Sequence, residues 1–254
     1  MTSRRVLVSS EQGPAGEAVR SVATAVASLL GGTVQDRNLR GPLLADECEG
    51  ERTDLIRAAQ DEEVVGVVIS GTPDHTLRAM HLAAAIDRPV VFSPGTLRAP
   101  FALNRVLLPL DGTREAADAV SATAQMVQNL GLDMIVLHCV HGAAIPRLQD
   151  HPQYDPHDRT REFIARYLEP IGEARLELRV GTPGRHAVDV SQTVDADLIV
   201  LGWRRHPTPR RAQTVRSILA HSVVPVMLLP TRSPHPPRSA RAGSPDLKGL
   251  DDYR

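Results

Sequence analysis

Aromatic residues are scarce in this sequence: tryptophan, tyrosine and phenylalanine together make up 3% of 254 residues. Single-stranded nucleic acid stacks on aromatic side chains in the proteins that bind it, so the shortage argues against that class of protein. Hydrophobic residues still reach 42% of the chain. The core must therefore consist of aliphatic side chains, in one large domain or two small ones.

Cysteine, net charge and long apolar runs are scarce as well. Cys48 and Cys139 are the only cysteines, too few for a disulfide framework or a four-cysteine zinc site. The formal net charge is −1, so no global field attracts DNA or a membrane surface. No apolar run approaches the ~18 residues of a membrane span, and the N-terminus has no apolar signal-peptide core. We therefore expect a cytoplasmic protein that does not bind membranes and is a poor candidate for nucleic-acid binding.

Four features occur twice in the sequence, in the same order. The first is a predicted strand, and the second is a helical pattern in which apolar positions are spaced 4, 3, 4 and 3 residues apart. The third is an apolar strand that ends near a glycine, and the fourth is a Pro-Val strand. The strands fall at 4–10 and 104–113, the helical patterns at Ala15–Leu29 and Ala116–Leu130, the apolar strands at 64–70 and 197–203, and the Pro-Val strands at 89–93 and 225–229.

An internal duplication explains this order, and strands joined by helices predict parallel pairing with right-handed crossovers. We predict two doubly wound parallel-sheet α/β domains in tandem, at 1–98 and 103–230. In the first domain, residues 33–51 give only a weak strand and a loop. The proline-containing tail at 231–254 is predicted to be disordered. Periodicity also predicts helices at 75–86, 158–171 and 184–194, and strands at 133–140 and 174–180.

Several segments of the second half carry a family resemblance. They are "RVLLPLDGT" (105–113), "IVLHCV" (135–140), "RVGTPGRHAVDVSQTVDADLIVLG" (179–202) and "SILAHSVVPVMLL" (217–229). Together they resemble the universal stress protein family. The first half resembles the same family more faintly, through "RRVLVSSE", "VVISGT" and "RPVVFSP".

The resemblance implies a Rossmann-like fold of the adenine-nucleotide alpha hydrolase type. It also implies a binding or regulatory role in a stress response, without catalysis. Family dimers pair through edge strands, which correspond here to 89–93 and 225–229. With two repeats present, that pairing is available within one chain as well as in a homodimer.

Some members of this family bind ATP through a glycine-rich loop after the fourth strand, and others do not. Gly202 matches the first glycine of that loop, but the second falls on Arg205. The closing Gly-Ser pair falls on Ala212 and Gln213. Loop glycines permit positive φ angles and bring backbone N–H groups onto phosphates. The resemblance therefore implies that standard ATP binding is impaired in this chain.

Other candidate binding residues lie where parallel strands end, which is where open α/β sheets bind ligands. By the resemblance, Asp111 occupies the position of the acid on the base and ribose side. Asp111 also suits a simple turn-capping role, and both interpretations stay open. The full candidate set for a nucleotide or small anion is Pro109, Leu110, Asp111, Gly112, Cys139, Gly202, Arg204, Arg205, Arg210 and Arg211.

The basic loop at 204–211 has two open interpretations. Thr208-Pro209 predicts a helix start, which would place Arg210 and Arg211 in the first turn, where the helix dipole disfavours cations. Thr72-Pro73 predicts the same start in the first half, but there Asp74 complements the dipole. A bound anion would relieve the second arrangement. Alternatively, the arginines form a solvated loop whose stems pack on Trp203.

Metal binding and catalysis are weaker hypotheses. Histidines and aspartates between 137 and 158 match no compact zinc spacing. Cys139 as a nucleophile lacks an assignable base. We predict no metal site, no catalytic residue and no resident cofactor, with an adenine nucleotide as the candidate ligand. The alternatives are an arginine-modified phosphate site and a ligand-free domain that binds protein partners.

Overall fold

The computed structural model describes residues 3–10, 12–38, 43–45, 48–71, 73–111, 114–140, 174–205 and 212–231. The strands are β1 (Arg5–Ser10), β2 (Thr33–Asn38), β3 (Val64–Gly71), β4 (Val90–Pro94), β5 (Arg105–Leu110), β6 (Asp133–Val140), β7 (Arg175–Val180), β8 (Leu198–Trp203) and β9 (Val226–Pro230). The helices are α1 (Pro14–Leu30), α2 (Glu49–Ala58), α3 (Thr76–Ala85), α4 (Arg114–Asn129), α5 (Pro183–Thr193) and α6 (Gln213–His221), with a 3-10 turn at Pro73–His75.

The described strands form one sheet in the order β2-β1-β3-β4-β9-β8-β5-β6-β7. Neighbouring strands are parallel throughout, except that β4 and β9 are antiparallel. The predicted class, an α/β fold with doubly wound parallel sheets, is confirmed. Strands β1–β4 make up what is here called half one, and strands β5–β9 make up half two. The two halves meet where β4 pairs with β9.

The β4–β9 pair is the seam that joins the two halves. Val90 lies opposite Leu228, and Val91 lies opposite Met227. All four side chains are at most 1% exposed. A strand buried on both faces requires an unbroken apolar sequence, and the two Pro-Val segments supply it. The structure thus shows the intramolecular form of the edge-strand pairing.

The helices cover both faces of the sheet and enclose an aliphatic core. Helices α1 and α4 pack on one face, and α2, α3, α5 and α6 pack on the other. Within α1, the predicted apolar stripe is buried from Val19 to Leu29, although Ala15 is exposed. The stripe in α4 is buried from Val120 to Val127, whereas Ala116 is half-buried and Leu130 lies past the helix end and is 49% exposed.

Half one is a reduced version of half two. Its strand order is β2-β1-β3-β4, whereas half two has an additional strand, β7, at its outer edge. The sequence interpretation missed α2, which replaces part of the predicted loop. This helix buries only Leu55, so its apolar periodicity is weak. Glu49 and Glu51 in its first turn and Arg57 in its last complement the helix dipole, and they were the available signal.

One predicted helix start was wrong. Helix α6 begins at Gln213, with Ala212 as its N-cap residue, rather than at the Thr208-Pro209 pair, and Arg210 and Arg211 lie outside the described residues. In half one the predicted helix at 75–86 is confirmed as α3, and the 3-10 turn leads into it, with the Thr76 hydroxyl donating to the carbonyl of Pro73. The predicted helix at 158–171 and residues 232–254 of the tail lie outside the described residues. No helix in the described part of the chain is long and apolar enough to cross a membrane.

The seam predicts that the chain unfolds as a unit. Met227 has no exposed surface, so Met227→Ala should lower the free energy of unfolding by about 2–5 kcal/mol. Val223→Ala is the matched control, because Val223 is 48% exposed, and it should change that free energy by less than about 0.5 kcal/mol. Urea denaturation followed by Trp203 fluorescence and by circular dichroism should give coincident transitions. A Trp203 fluorescence transition at lower urea concentration than the circular dichroism transition would contradict a core shared by the two halves.

Candidate functional site

The candidate site lies where the carboxyl ends of β5 and β8 separate, a position here called the crevice. These strands pair only at Val106–Leu198 and Leu107–Ile199. Beyond that point β5 stays paired with β6, and β8 with β9, so the two strands separate. The helix that follows β5, α4, packs on one face of the sheet, and the helix that follows β8, α6, packs on the other. This position is therefore the topological switch point of half two, where open α/β sheets bind ligands.

Gly202 lies on the β8 side of the crevice, under the first turns of α4. A Cβ atom at this position would lie 3.4 Å from the Ala116 Cα and carbonyl oxygen and from the Ala119 Cβ. The glycine therefore lets α4 pack directly on β8. Packing accounts for this residue without any ligand.

The β5 side of the crevice is held by a histidine that the sequence interpretation did not assign. Leu110 is buried and Pro109 half-buried, while Asp111 is exposed. Nδ1 of His138, on β6, lies 3.1 Å from the Leu110 carbonyl oxygen, within hydrogen-bond distance. The register pairs Leu110 with His138, so the contact fixes the end of β5 against its neighbour. Gly112 lies outside the described residues.

Cys139 does not join the Leu110 side of the crevice. Its side chain is 9% exposed and packs in the core beneath α5 and α6, whereas Leu110 packs in the core on the α1 and α4 face. Burial raises the pKa of the Cys139 thiol from 9.0 to about 11, and the nearby charge of Arg179 offsets this only in part. The thiol is protonated at neutral pH, so the nucleophile hypothesis loses its support.

Arg205 turns out of the crevice and contacts half one. Its Nε donates to the carbonyl oxygen of Ala84 at 2.9 Å, and its Nη1 lies 3.0 Å from Oδ1 of Asp87. Both partners lie at the carboxyl end of α3. The guanidinium is therefore neither a purely solvated group packed on Trp203 nor a free anion ligand in this structure.

The backbone of Arg205 keeps the conformation of a glycine. Its φ is 58°, in the left-handed region that costs a residue with a Cβ atom roughly 1 kcal/mol or more. By the family resemblance, this position belongs to the second loop glycine. An exposed ion pair of about 0.2–1 kcal/mol, together with one hydrogen bond, is similar in size to that cost. The contacts with α3 can thus sustain the strained bend.

The structure describes one of the other three basic residues of the loop. Arg204 is exposed at the end of β8. Arg210 and Arg211 lie outside the described residues. Trp203 is 3% exposed, and its indole N–H has no hydrogen-bond partner among the described residues. The Trp203 carbonyl accepts from the Thr231 backbone N–H at 2.9 Å.

In half one, three side chains cluster at the carboxyl end of β1, the strand that corresponds to β5. The Ser10 hydroxyl, at the end of β1, lies 3.1 Å from Oδ1 of Asp36 and accepts from Nη1 of Arg20 at 2.9 Å. Arg20 and Asp36 also form an ion pair at 3.6 Å. The polar groups of these three side chains thus contact one another.

Two further glycines serve packing at the start of α5. Gly181 has a φ of 136°, and a Cβ there would lie 2.8 Å from Nε2 of His186. A Cβ at Gly184 would lie 2.7 Å from the Ser217 Cβ, on α6. Gly184 thus lets α5 and α6 pack closely where they cross. Among the residues that the structure describes, no three His, Cys, Asp or Glu side chains are grouped to hold a metal ion.

These features define an α/β protein with a crevice at its switch point and a double set of related elements. The Universal stress protein family profile matches residues 102–230, which is half two and the preceding connection. The chain belongs to the universal stress protein family. A search among curated proteins finds no match.

Solved structures extend the likeness over both halves. A universal stress protein from Archaeoglobus fulgidus DSM 4304 shares 13% identity, with a TM-score of 0.58, and covers 91% of this chain and 97% of its own. A protein described as a universal stress protein from Pseudomonas aeruginosa UCBPP-PA14 shares 17% identity, with a TM-score of 0.59, and covers 90% and 94%. These similarities show the fold of both halves.

The buried thiol gives a direct test of the site description. In a Cys48→Ser variant, Cys139 is the remaining thiol, and we expect slow reaction with iodoacetamide at pH 8 and fast reaction after unfolding in guanidinium. The unfolded chain loses the thiol proton near pH 9, whereas the folded chain holds it to about pH 11. This group therefore lowers folding stability as the pH rises through that window. Rapid stoichiometric labelling of the native variant at pH 8 would contradict the description.

Proposed function

We propose that this chain is a binding or regulatory member of the universal stress family whose half-two crevice does not bind ATP in the standard manner. The observation that carries the proposal is Arg205. A phosphate-binding loop needs its backbone N–H groups to close on the ligand, which glycine permits. Here the loop bend is present, but a long side chain occupies the glycine position and is tied to α3.

Two other candidate site residues bear on whether the protein is a catalyst. Cys139, the candidate nucleophile, is protonated and buried at neutral pH. Asp111 is exposed at the end of β5, where a turn-capping role and a ligand contact both suit it. We therefore propose a protein without enzymatic activity. We also propose a cytoplasmic location, because both cysteines are free, as is typical of reducing compartments.

Half one, at 1–98, is proposed as a ligand-free pseudo-domain that supports half two, at 103–230. The cluster of Ser10, Arg20 and Asp36 fills the end of its first strand. Both edges of β4 and of β9 are already paired within the chain. A homodimer of the same kind would have to open this seam, so any self-association would use other surfaces.

A second candidate function is an arginine-modified site for a phosphate or another small anion. Arg204 favours it, because this residue is exposed at the carboxyl end of β8, beside the crevice. Arginine can supply bidentate contacts to an oxyanion where loop glycines are missing. Arg210 and Arg211 remain part of this hypothesis from sequence alone.

Thermal shift measurements with ATP, AMP, cyclic AMP and inorganic phosphate test the proposal. Each ligand is added at about 1 mM, which is on the order of 100 times the Kd of a site that binds at about 10 μM. Such a site would stabilise the chain by about 2.7 kcal/mol, or roughly 5–10 °C in Tm. We expect no ATP shift of that size for the native chain. Arg205→Gly should gain a measurable but smaller one, because the variant restores one loop glycine while Ala212 and Gln213 still replace the closing Gly-Ser pair.

The matched control is Arg204→Gly, which removes the same charge from an exposed neighbour and should not gain ATP binding. A native ATP shift as large as that of Arg205→Gly would refute the proposal. A shift with phosphate alone that disappears in Arg204→Gly would favour the anion site. ATP hydrolysis that depends on Asp111 would overturn the proposed absence of enzymatic activity.

A further inference from the structure

The antiparallel seam creates two related junctions between the halves. Because β4 and β9 run in opposite directions, the carboxyl edge of each half lies beside the amino edge of the other. Arg205, just past the end of β8, therefore meets the end of α3, where it contacts Ala84. The 3-10 turn after β3 correspondingly contacts α6.

Matching the two halves by their repeated features shows that these junctions differ. Aligning Gly71 with Gly202 places Asp74 at the position of Arg205. Aligning the two Pro-Val strands places Val223 at the position of Asp87. An aspartate opposite a valine cannot form the ion pair found at the first junction. That second junction is instead an open groove of about 600 Å³, lined by Asp74, Arg216 and Ala220 among others.

We propose that Arg205 is an interdomain latch, a contact that closes one junction and holds the chain at the end of β8 against half one. Its guanidinium bonds both the carbonyl group of Ala84, in the last turn of α3, and the Asp87 carboxylate. Helix α3 has no basic residue in its own last turn. Arg205 supplies the cation that complements this helix end, from the other half of the chain.

The latch couples two regions that are far apart in sequence. The left-handed bend of the loop and the order of the last turn of α3 depend on the same guanidinium. Any movement that straightens the loop must withdraw that guanidinium from α3, and loosening of α3 must in turn release the loop. Such coupling is reciprocal by thermodynamic necessity. It is a property of the unliganded chain, so it stands or falls separately from nucleotide binding.

Hydrogen–deuterium exchange on the full chain without ligand tests the latch, because the mutated residue and the measured peptide lie in different halves. Asp87→Asn, in half one, should speed exchange of the loop amides of half two by about two- to fivefold, the factor expected for an exposed ion pair. Arg205→Ala should speed exchange of the last turn of α3 by a similar factor. The double variant should exchange no faster at either place than the faster single variant.

Two surface variants serve as controls. Asp54→Asn breaks an exposed ion pair with Arg57 inside half one and should leave the half-two loop unchanged. Arg204→Ala removes a neighbouring charge and should leave the last turn of α3 unchanged. Unaltered loop exchange in Asp87→Asn, or additive effects in the double variant, would overturn the latch.

Discussion

The antiparallel pairing of β4 with β9 is the constraint on which the rest of the structure depends. Each half ends in an apolar strand that needs partners on both edges and cover on both faces. Neither half can bury that strand alone, and the seam satisfies both at once, with Val91 and Met227 fully buried. Covalent linkage of the halves makes the pairing independent of protein concentration.

The seam also explains why half one can have fewer strands than half two and still be necessary for burying the central strands. Among the described residues half one has no counterpart of β7, and a cluster of its own side chains fills the end of its first strand. It keeps the elements that complete the seam, β3, α3 and β4. The same geometry brings α3 within reach of Arg205, so the sheet that joins the halves also determines the surroundings of the candidate crevice.

Repeated apolar patterns were sufficient to predict the strands, their parallel arrangement and the duplication, because burial on a sheet imposes strong periodicity on the sequence. The prediction failed where the local sequence contributes little to the free energy of folding. Helix α2 buries one side chain, and the start of α6 was assigned to a Thr-Pro pair ahead of its true beginning at Gln213. The contact between Arg205 and Ala84 spans 121 residues and is unpredictable until the direction of the seam is known. The left-handed bend at Arg205 did have a signal, the glycine that the family places there.

Native-state hydrogen exchange of the seam amides tests the central claim most directly. The account predicts that amides of β4 and β9 are among the slowest in the chain and that they exchange together, through global unfolding. Their exchange should then slow and quicken in parallel as denaturant changes the global stability. Fast exchange of β4 or β9, at a rate typical of unpaired edge strands, would contradict the account, as would separate opening of the two halves.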